Sequence, residues 1–436
     1  MSDYMFMLES HLSPEQNQVV SLVEAVNAQA GLNSFLTGGA MRDMMGGFPI
    51  RALQFTVEGN PGKLIKTLTE KHSARIVEKD DSRKAVRLLF ANDLKAWLGM
   101  AVVAKYGRPG SKPQYTAETI HEDLKGRDFT MNSIALSLNK SSRGLLLDPM
   151  NGLSDLERRE IRANSNYTLY DEPARILKMF RYRARMGFEL DARTQSQYEN
   201  VREAKLEEKV SAPALLAELH AMATEPNPEQ LLESLDKEKL LTLFSPVLAG
   251  PQLNLAGFSK FTKARQSIPF GVDFRAESFG LFMDLLTERF SAKEKSHLVK
   301  SLGMSGQDVE LWQKLETRSK KLEKSLKSGR LNKASLVYLA LREAPADQVM
   351  YLYLKTGQRI VHDRIKNYLQ KYLPAAQEVN DKDIAHLGLT PGTPKFKKAK
   401  EEYTLAKLDG RIRKPAPPPE PAPAPPPPPM RTGIRR

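Results

Sequence analysis

Gly38, Gly39, Arg42 and Asp43 stand where a short apolar segment gives way to helical spacing. A backbone without Cβ atoms can approach a triphosphate closely, a helix start offers free N–H donors, and an arginine adds a forked cation. The same turn also serves as an ordinary strand-to-helix connection. Further on, Asp123, Arg127, Asp128 and Asn132 recur at roughly helical spacing, which predicts a one-sided polar cluster with Phe129 on the buried side. The plainer alternative is a capped surface helix with an internal ion pair. Other chemistries lack their residues. There are no cysteines for a thiolate nucleophile, disulfide or thiolate zinc site. The seven histidines are scattered, and His362-Asp363 is a lone pair on a solvated helix face rather than a metal site.

Stepping outward, the 436 residues suffice for two to four domains. Met1–Ser10 has no basic stretch followed by an apolar core and no apolar run elsewhere is long enough to span a bilayer, so a soluble cytoplasmic protein without a membrane partner is expected. The net charge of +14, with many Lys and Arg on patterned helical segments after residue 170, suits a polyanion partner and equally suits solvated helix faces, so the charge needs support from motifs.

Ser13-Pro14-Glu15-Gln16 predicts a capped helix through about Ala30. Asn33–Thr37 reads as a strand. Runs at Leu53–Glu58, Ala74–Glu78, Ala85–Phe90 and Trp97–Val103 read as further strands, 106–114 as an exposed loop, and 136–147 as a hairpin turning at Ser141–Gly144. The first 165 or so residues are thus an α+β unit. From Glu172 onward, helical spacing broken at Pro213, Pro226, Pro246, Pro251, Gly303 and Pro345 predicts an all-helical remainder with no competing strand. Lys414–Pro429 is a Pro/Ala tract that buries no core. It reads as a solubilising tail, with a proline-recognising protein partner as the alternative.

Four motifs occur in a fixed order: Gly38-Gly39-x-x-Arg42-Asp43, Arg127-Asp128-Phe129-Thr130-x-Asn132, Asp148-Pro149-x-Asn151-Gly152-x-x-Asp155-Leu156, and Asp171-Glu172-Pro173-x-Arg175-Ile176-Leu177-x-x-Phe180-Arg181. Together they resemble the bacterial tRNA nucleotidyltransferase (CCA-adding enzyme) and poly(A) polymerase family, and the likeness extends through Asp383-Ile384 to Ala406–Gly410. The resemblance implies an α+β fold: a nucleotidyltransferase head with a small mixed sheet at 1–165, then an all-helical neck at 166–250 that binds RNA and nucleotide. An RNA-binding body and tail at 251–410 and the Pro/Ala-rich segment at 411–436 complete it. It implies nucleotide binding by Gly38, Gly39, Arg42, Asp43, Arg127, Asp128, Asn132, Asp171, Glu172, Arg175, Lys178 and Arg181. Within that set, Gly39 and Arg42 would meet the triphosphate, Arg127 the sugar–phosphate region, and Glu172 with Arg175 the base edge.

The departures from the family fall on its chemistry. An Asp-x-Asp that holds magnesium in the family reads Ala52 and Gln54 here, and neither offers an anionic oxygen. The stretch Lys95–Val102, where a third carboxylate is usual, contains no acid, with Asp93 just outside. Glu58 and Glu78 read as surface charge. Gly126 replaces an arginine, Asp171-Glu172 inverts the usual order, and Lys178 replaces an arginine. The expected function is therefore RNA binding, with tRNA or a tRNA-like 3′ end as partner and ATP or CTP as a second ligand, by a pseudoenzyme whose transferase activity is lost or strongly impaired. The alternatives are an active CCA- or A-adding enzyme of RNA processing with relocated metal ligands, and an interaction protein. No cofactor is implied unless activity survives, in which case Mg2+ joins ATP or CTP.

Overall fold

The computed structural model describes residues 3–108, 111–276 and 278–412. The chain opens with helices α1 (Asp3–His11) and α2 (Pro14–Ala30). Helix α2 begins as the sequence predicts: the Ser13 hydroxyl accepts from the Gln16 backbone while the Gln16 side chain accepts from the Ser13 N–H. It buries Val19, Val20, Val23 and Val26.

There follow β1 (Asn33–Thr37), α3 (Gly39–Met45), β2 (Leu53–Glu58), α4 (Gly62–Lys71), β3 (Arg75–Asp80), β4 (Ala85–Leu89), β5 (Lys95–Met100), β6 (Val102–Lys105), β7 (Gln114–Ala117) and α5 (Ile120–Lys125). Strands β8 (Ala135–Ser137) and β9 (Leu146–Leu147) form the expected hairpin. The sheet runs β3-β4-β5-β2-β1-β8-β9. Only β2 and β5 are parallel within it, so it is mixed. Phe35, Ile120, Leu124 and Ala135 pack together beneath it, with Leu147 against them.

Beyond the sheet come α6 (Gly152–Arg158), β10 (Glu160–Ile161), α7 (Thr168–Asp171), α8 (Arg175–Met186), β11 (Glu189–Leu190), α9 (Ala192–Glu203), α10 (Ala212–Met222) and α11 (Pro228–Lys237). The described chain is helical from there to Leu408 apart from its turns. The fold is thus α+β with a helical continuation. The described residues divide into two compact units. One holds the chain up to Lys263 together with the segment ending at Leu315; the other holds Ala264–Ala276 and the chain from Glu316 on. No described helix is long and apolar enough to cross a membrane. The Pro/Ala tract lies outside the described residues.

Three local expectations are corrected. The run Trp97–Val103 is not one strand: it breaks at Ala101, whose N–H bonds to Val57 O, and β6 pairs instead with β7 in a separate ribbon. Residues 121–132 are not one helix. Helix α5 ends at Lys125, and Phe129 is extended at φ −122°, ψ 146° and bridges Ala163. Backbone bonds from Thr130 to Arg162 and from Asn164 to Asp128 flank that bridge, so cross-chain pairing overrides helical spacing. The segment after Glu172 is not strand-free, because β11 pairs in parallel with β10. Two residues are too few to show alternation in a sequence.

Candidate nucleotide-binding site

Antiparallel pairing of β1 and β2 brings the end of β1 beside the start of β2, with Leu36 opposite Phe55. Gly38 follows at φ 66°, ψ −125°, a conformation that L side chains rarely adopt. A Cβ there would lie 2.7 Å from Gln54 Oε1 and 3.3 Å from Arg127 Nη1, so the Gln54 amide and the Arg127 fork both face the glycine turn. Ala52 and Gln54 are exposed and flank the buried Leu53, which places them on one side of the strand. Strand β5 lies beside β2 with Trp97 opposite Gln54 and carries no acid.

Arg127 is held on every nitrogen. Its Nε and Nη2 donate to Asp123 Oδ2 at 2.9 and 2.7 Å, and Nη1 donates to Asn132 O at 3.1 Å. Nη2 also reaches the hydroxyls of Thr37 at 3.2 Å and Thr56 at 3.1 Å. Arg42 points inward rather than along the turn, and is 4% exposed. Its Nε and Nη2 donate to Asp43 Oδ1 at 2.9 and 2.6 Å, and Nη1 donates to Asn132 Oδ1 at 2.9 Å.

Asn132 then links the head to α8. Its amide donates to Asp128 Oδ1 at 2.8 Å and to the Tyr182 hydroxyl at 3.3 Å. The other oxygen of Asp128 meets Lys178. Burial pushes the Asp128 carboxyl up, but Lys178 and Arg175 outweigh it and hold the group well below the ordinary carboxylate range. Around the Tyr182 ring stand Arg42 at 4.8 Å, Arg181 at 5.3 Å, Arg185 at 5.5 Å and Lys178 at 6.0 Å. Arg181 in turn binds Glu218 at 3.2 Å and Glu225 at 3.0 Å.

A second group sits at the junction of α7 and α8. Arg175 and Glu172 are 3.0 Å apart, and the hydroxyl of Tyr106 bonds to both. Arg175 also donates to Thr168 O at 3.1 Å. Asp171 lies next to this pair, its carboxyl raised by burial, with Arg175 opposing.

The predicted residues therefore assemble into two neighbouring groups: Gly38, Gly39, Arg42, Asp43, Arg127, Asp128, Asn132, Lys178 and Arg181 in one, and Asp171, Glu172 and Arg175 in the other. Sequence reasoning missed Tyr106, Tyr182, Arg51, Arg185 and Glu225. Tyr182 carried a signal, being four residues on from Lys178 along a helix. Tyr106 and Glu225 carried none.

The residues present do not fit a magnesium ion. Asp43 is committed to Arg42, Asp123 to Arg127 and to the Val102 N–H, and Glu58 accepts from Ile120 N and Asn33. Glu78 is exposed beside Arg87, and Asp93 is exposed on a turn at φ 60°. Among the described residues no group of three or more His, Cys, Asp or Glu side chains is arranged to hold a metal.

A mixed sheet bearing a glycine turn is thus joined through Asn132 and Tyr182 to a basic helix. The profile of the poly A polymerase head domain matches residues 34–162. The A-adding tRNA nucleotidyltransferase of Aquifex aeolicus is 25% identical over 78% of this chain and 40% of its own length. The CC-adding enzyme of Deinococcus radiodurans is 31% identical over 46% of this chain and 52% of its own. The chain thus spans about half the length, or less, of these curated relatives. In fold it is similar to an apo CCA-adding enzyme, with a TM-score of 0.55 at 21% identity over 95% of this chain and 96% of that one. It is also similar to the Thermotoga maritima CCA-adding enzyme complexed with tRNA, with a TM-score of 0.52 at 20% identity and the same coverage. Residues 34–162 thus match the poly A polymerase head domain, and over a longer stretch the chain is similar to tRNA nucleotidyltransferases.

Proposed function

We propose that this protein binds RNA, a tRNA or a tRNA-like 3′ end, through residues 166–410 in the cytoplasm, and that its head, residues 1–165, retains a nucleotide site without effective nucleotidyl transfer. The observation that carries this reading is the Gln54 amide facing the Gly38 turn, with Ala52 two residues before it and an acid-free β5 alongside. Phosphoryl transfer depends on positioning and charge neutralisation by metal ions, so a head without their ligands loses several orders of magnitude in rate. What remains is recognition. A carboxylate that accepts beside a guanidinium that donates complements an amino group next to a ring nitrogen, the edge shared by adenine and cytosine. Glu172 and Arg175 supply that combination.

A second reading, an active CCA- or A-adding enzyme, draws on the activities of the relatives. Labelled ATP and CTP offered with tRNA lacking its terminal CCA, beside filter binding of the same tRNA across salt, separates the two. Salt-sensitive binding without incorporation supports the proposal; magnesium-dependent incorporation overturns it in favour of the second.

A further inference from the structure

Tyr106 follows β6 and belongs to none of the four ordered motifs. Its hydroxyl donates to Glu172 Oε2 at 3.0 Å and accepts from Arg175 Nη2 at 3.0 Å. The Arg175 guanidinium also lies 5.8 Å from the centre of the Tyr106 ring. Burial pushes the phenol's pKa up, and Glu172 adds to the rise against the opposing Arg175, so the hydroxyl keeps its proton at neutral pH and remains a donor. The strand pair behind it is braced. Tyr115 on β7 faces Ala104 on β6, and Arg83 from the β3–β4 turn donates to the Tyr115 hydroxyl at 2.9 Å while covering its ring at 5.1 Å.

A group that donates to a carboxylate and accepts from the adjacent guanidinium does what the adenine or cytosine edge would do. We infer that Tyr106 is a built-in occupant of the base-reading slot, its phenol holding Glu172 and Arg175 until an adenine or cytosine nucleotide displaces it. The inference rests on the base-reading role proposed above for those two residues. Occupation by an internal group lowers apparent affinity by the fraction of molecules in which the slot is filled. It also keeps the carboxylate and guanidinium hydrogen-bonded when no base is present.

The test is equilibrium dialysis of the full chain against radiolabelled ATP, CTP, GTP and UTP without added metal. It compares the wild type, Tyr106→Phe, and Tyr106→Phe combined with Glu172→Gln. Phenylalanine keeps the ring over Arg175 and removes only the hydroxyl. Tyr106→Phe is expected to bind ATP and CTP about tenfold more tightly, with GTP and UTP unchanged, and Glu172→Gln is expected to cancel the gain. Equal ATP and CTP affinity in wild type and Tyr106→Phe, with loss on Glu172→Gln, overturns the occupant and leaves base reading standing. A gain shared by all four nucleotides also overturns the occupant. No ATP or CTP binding by any of the three proteins overturns both.

Discussion

Arg42 and Arg127 show how far a residue's role is set by what surrounds it. Every nitrogen of both guanidinium groups already donates within the protein, to Asp43, Asp123 and Asn132, so both side chains are held in place by the fold itself. Restoring carboxylates at the adjacent strand tests whether the remaining geometry still suits a metal. In the double variant Ala52→Asp, Gln54→Asp, Mn2+ electron paramagnetic resonance is expected to report one bound ion that the wild type lacks. An unchanged free-ion spectrum would mean that the third acid is indispensable. Asp128 gives a pH prediction. Its carboxyl is depressed in the folded state, so the stability it contributes is full above the unfolded value of about 4 and drains away as pH falls below it. Asp128→Asn should cost about 2–4 kcal/mol at neutral pH, because Lys178 loses its partner, and should flatten the acid limb of Tm against pH. Eleven of the twelve predicted site positions are specified in the four ordered motifs, and Lys178 falls at an open position of the last. Tyr106 lies in none of them and Tyr182 showed only as a four-residue step from Lys178, because an aromatic side chain becomes part of a site through the cations and carboxylates packed on it.

Elements meet at a few buried carboxylates. Glu225, 2% exposed between α10 and α11, receives Arg181 and Arg185 from α8 and Arg51 from the segment entering β2. Arg51 also donates to Thr224 O, so the residue next to Ala52 is tied directly to the helices that follow the head. Glu225→Gln would leave three guanidinium groups facing a neutral amide. It is expected to destabilise the protein by about 3 kcal/mol in urea denaturation, whereas exposed Glu78→Gln should change little. The start of α2 was readable because capping is local: Ser13-Pro14-Glu15-Gln16 becomes a capping box. The end of α5 was not readable. Phe129 leaves the helical pattern for a bridge to Ala163, a partner distant in sequence that no local spacing reveals.

At the scale of the whole molecule, the excess of 66 basic over 52 acidic residues decides what kind of partner the scaffold favours. Many surface lysines have only exposed carboxylates for partners, as Lys320 with Glu316 and Lys398 with Glu402. Such pairs are weak and screened by salt, so a phosphate can replace the carboxylate at little cost. Each phosphate neutralised releases counterions, which makes affinity a steep function of ionic strength. Filter binding of tRNA should therefore weaken by roughly a thousandfold between about 50 and about 200 mM salt if some six phosphates are held. Replacing Lys395, Lys397 and Lys398 together with alanine should lower that slope while leaving Tm nearly unchanged, since all three are exposed on Pro394–Leu408. A slope unaffected by the triple substitution would place the phosphate contacts on other elements. A shallow slope in the wild type would mean that the charge serves solubility, and the RNA-binding reading would then lose its electrostatic support.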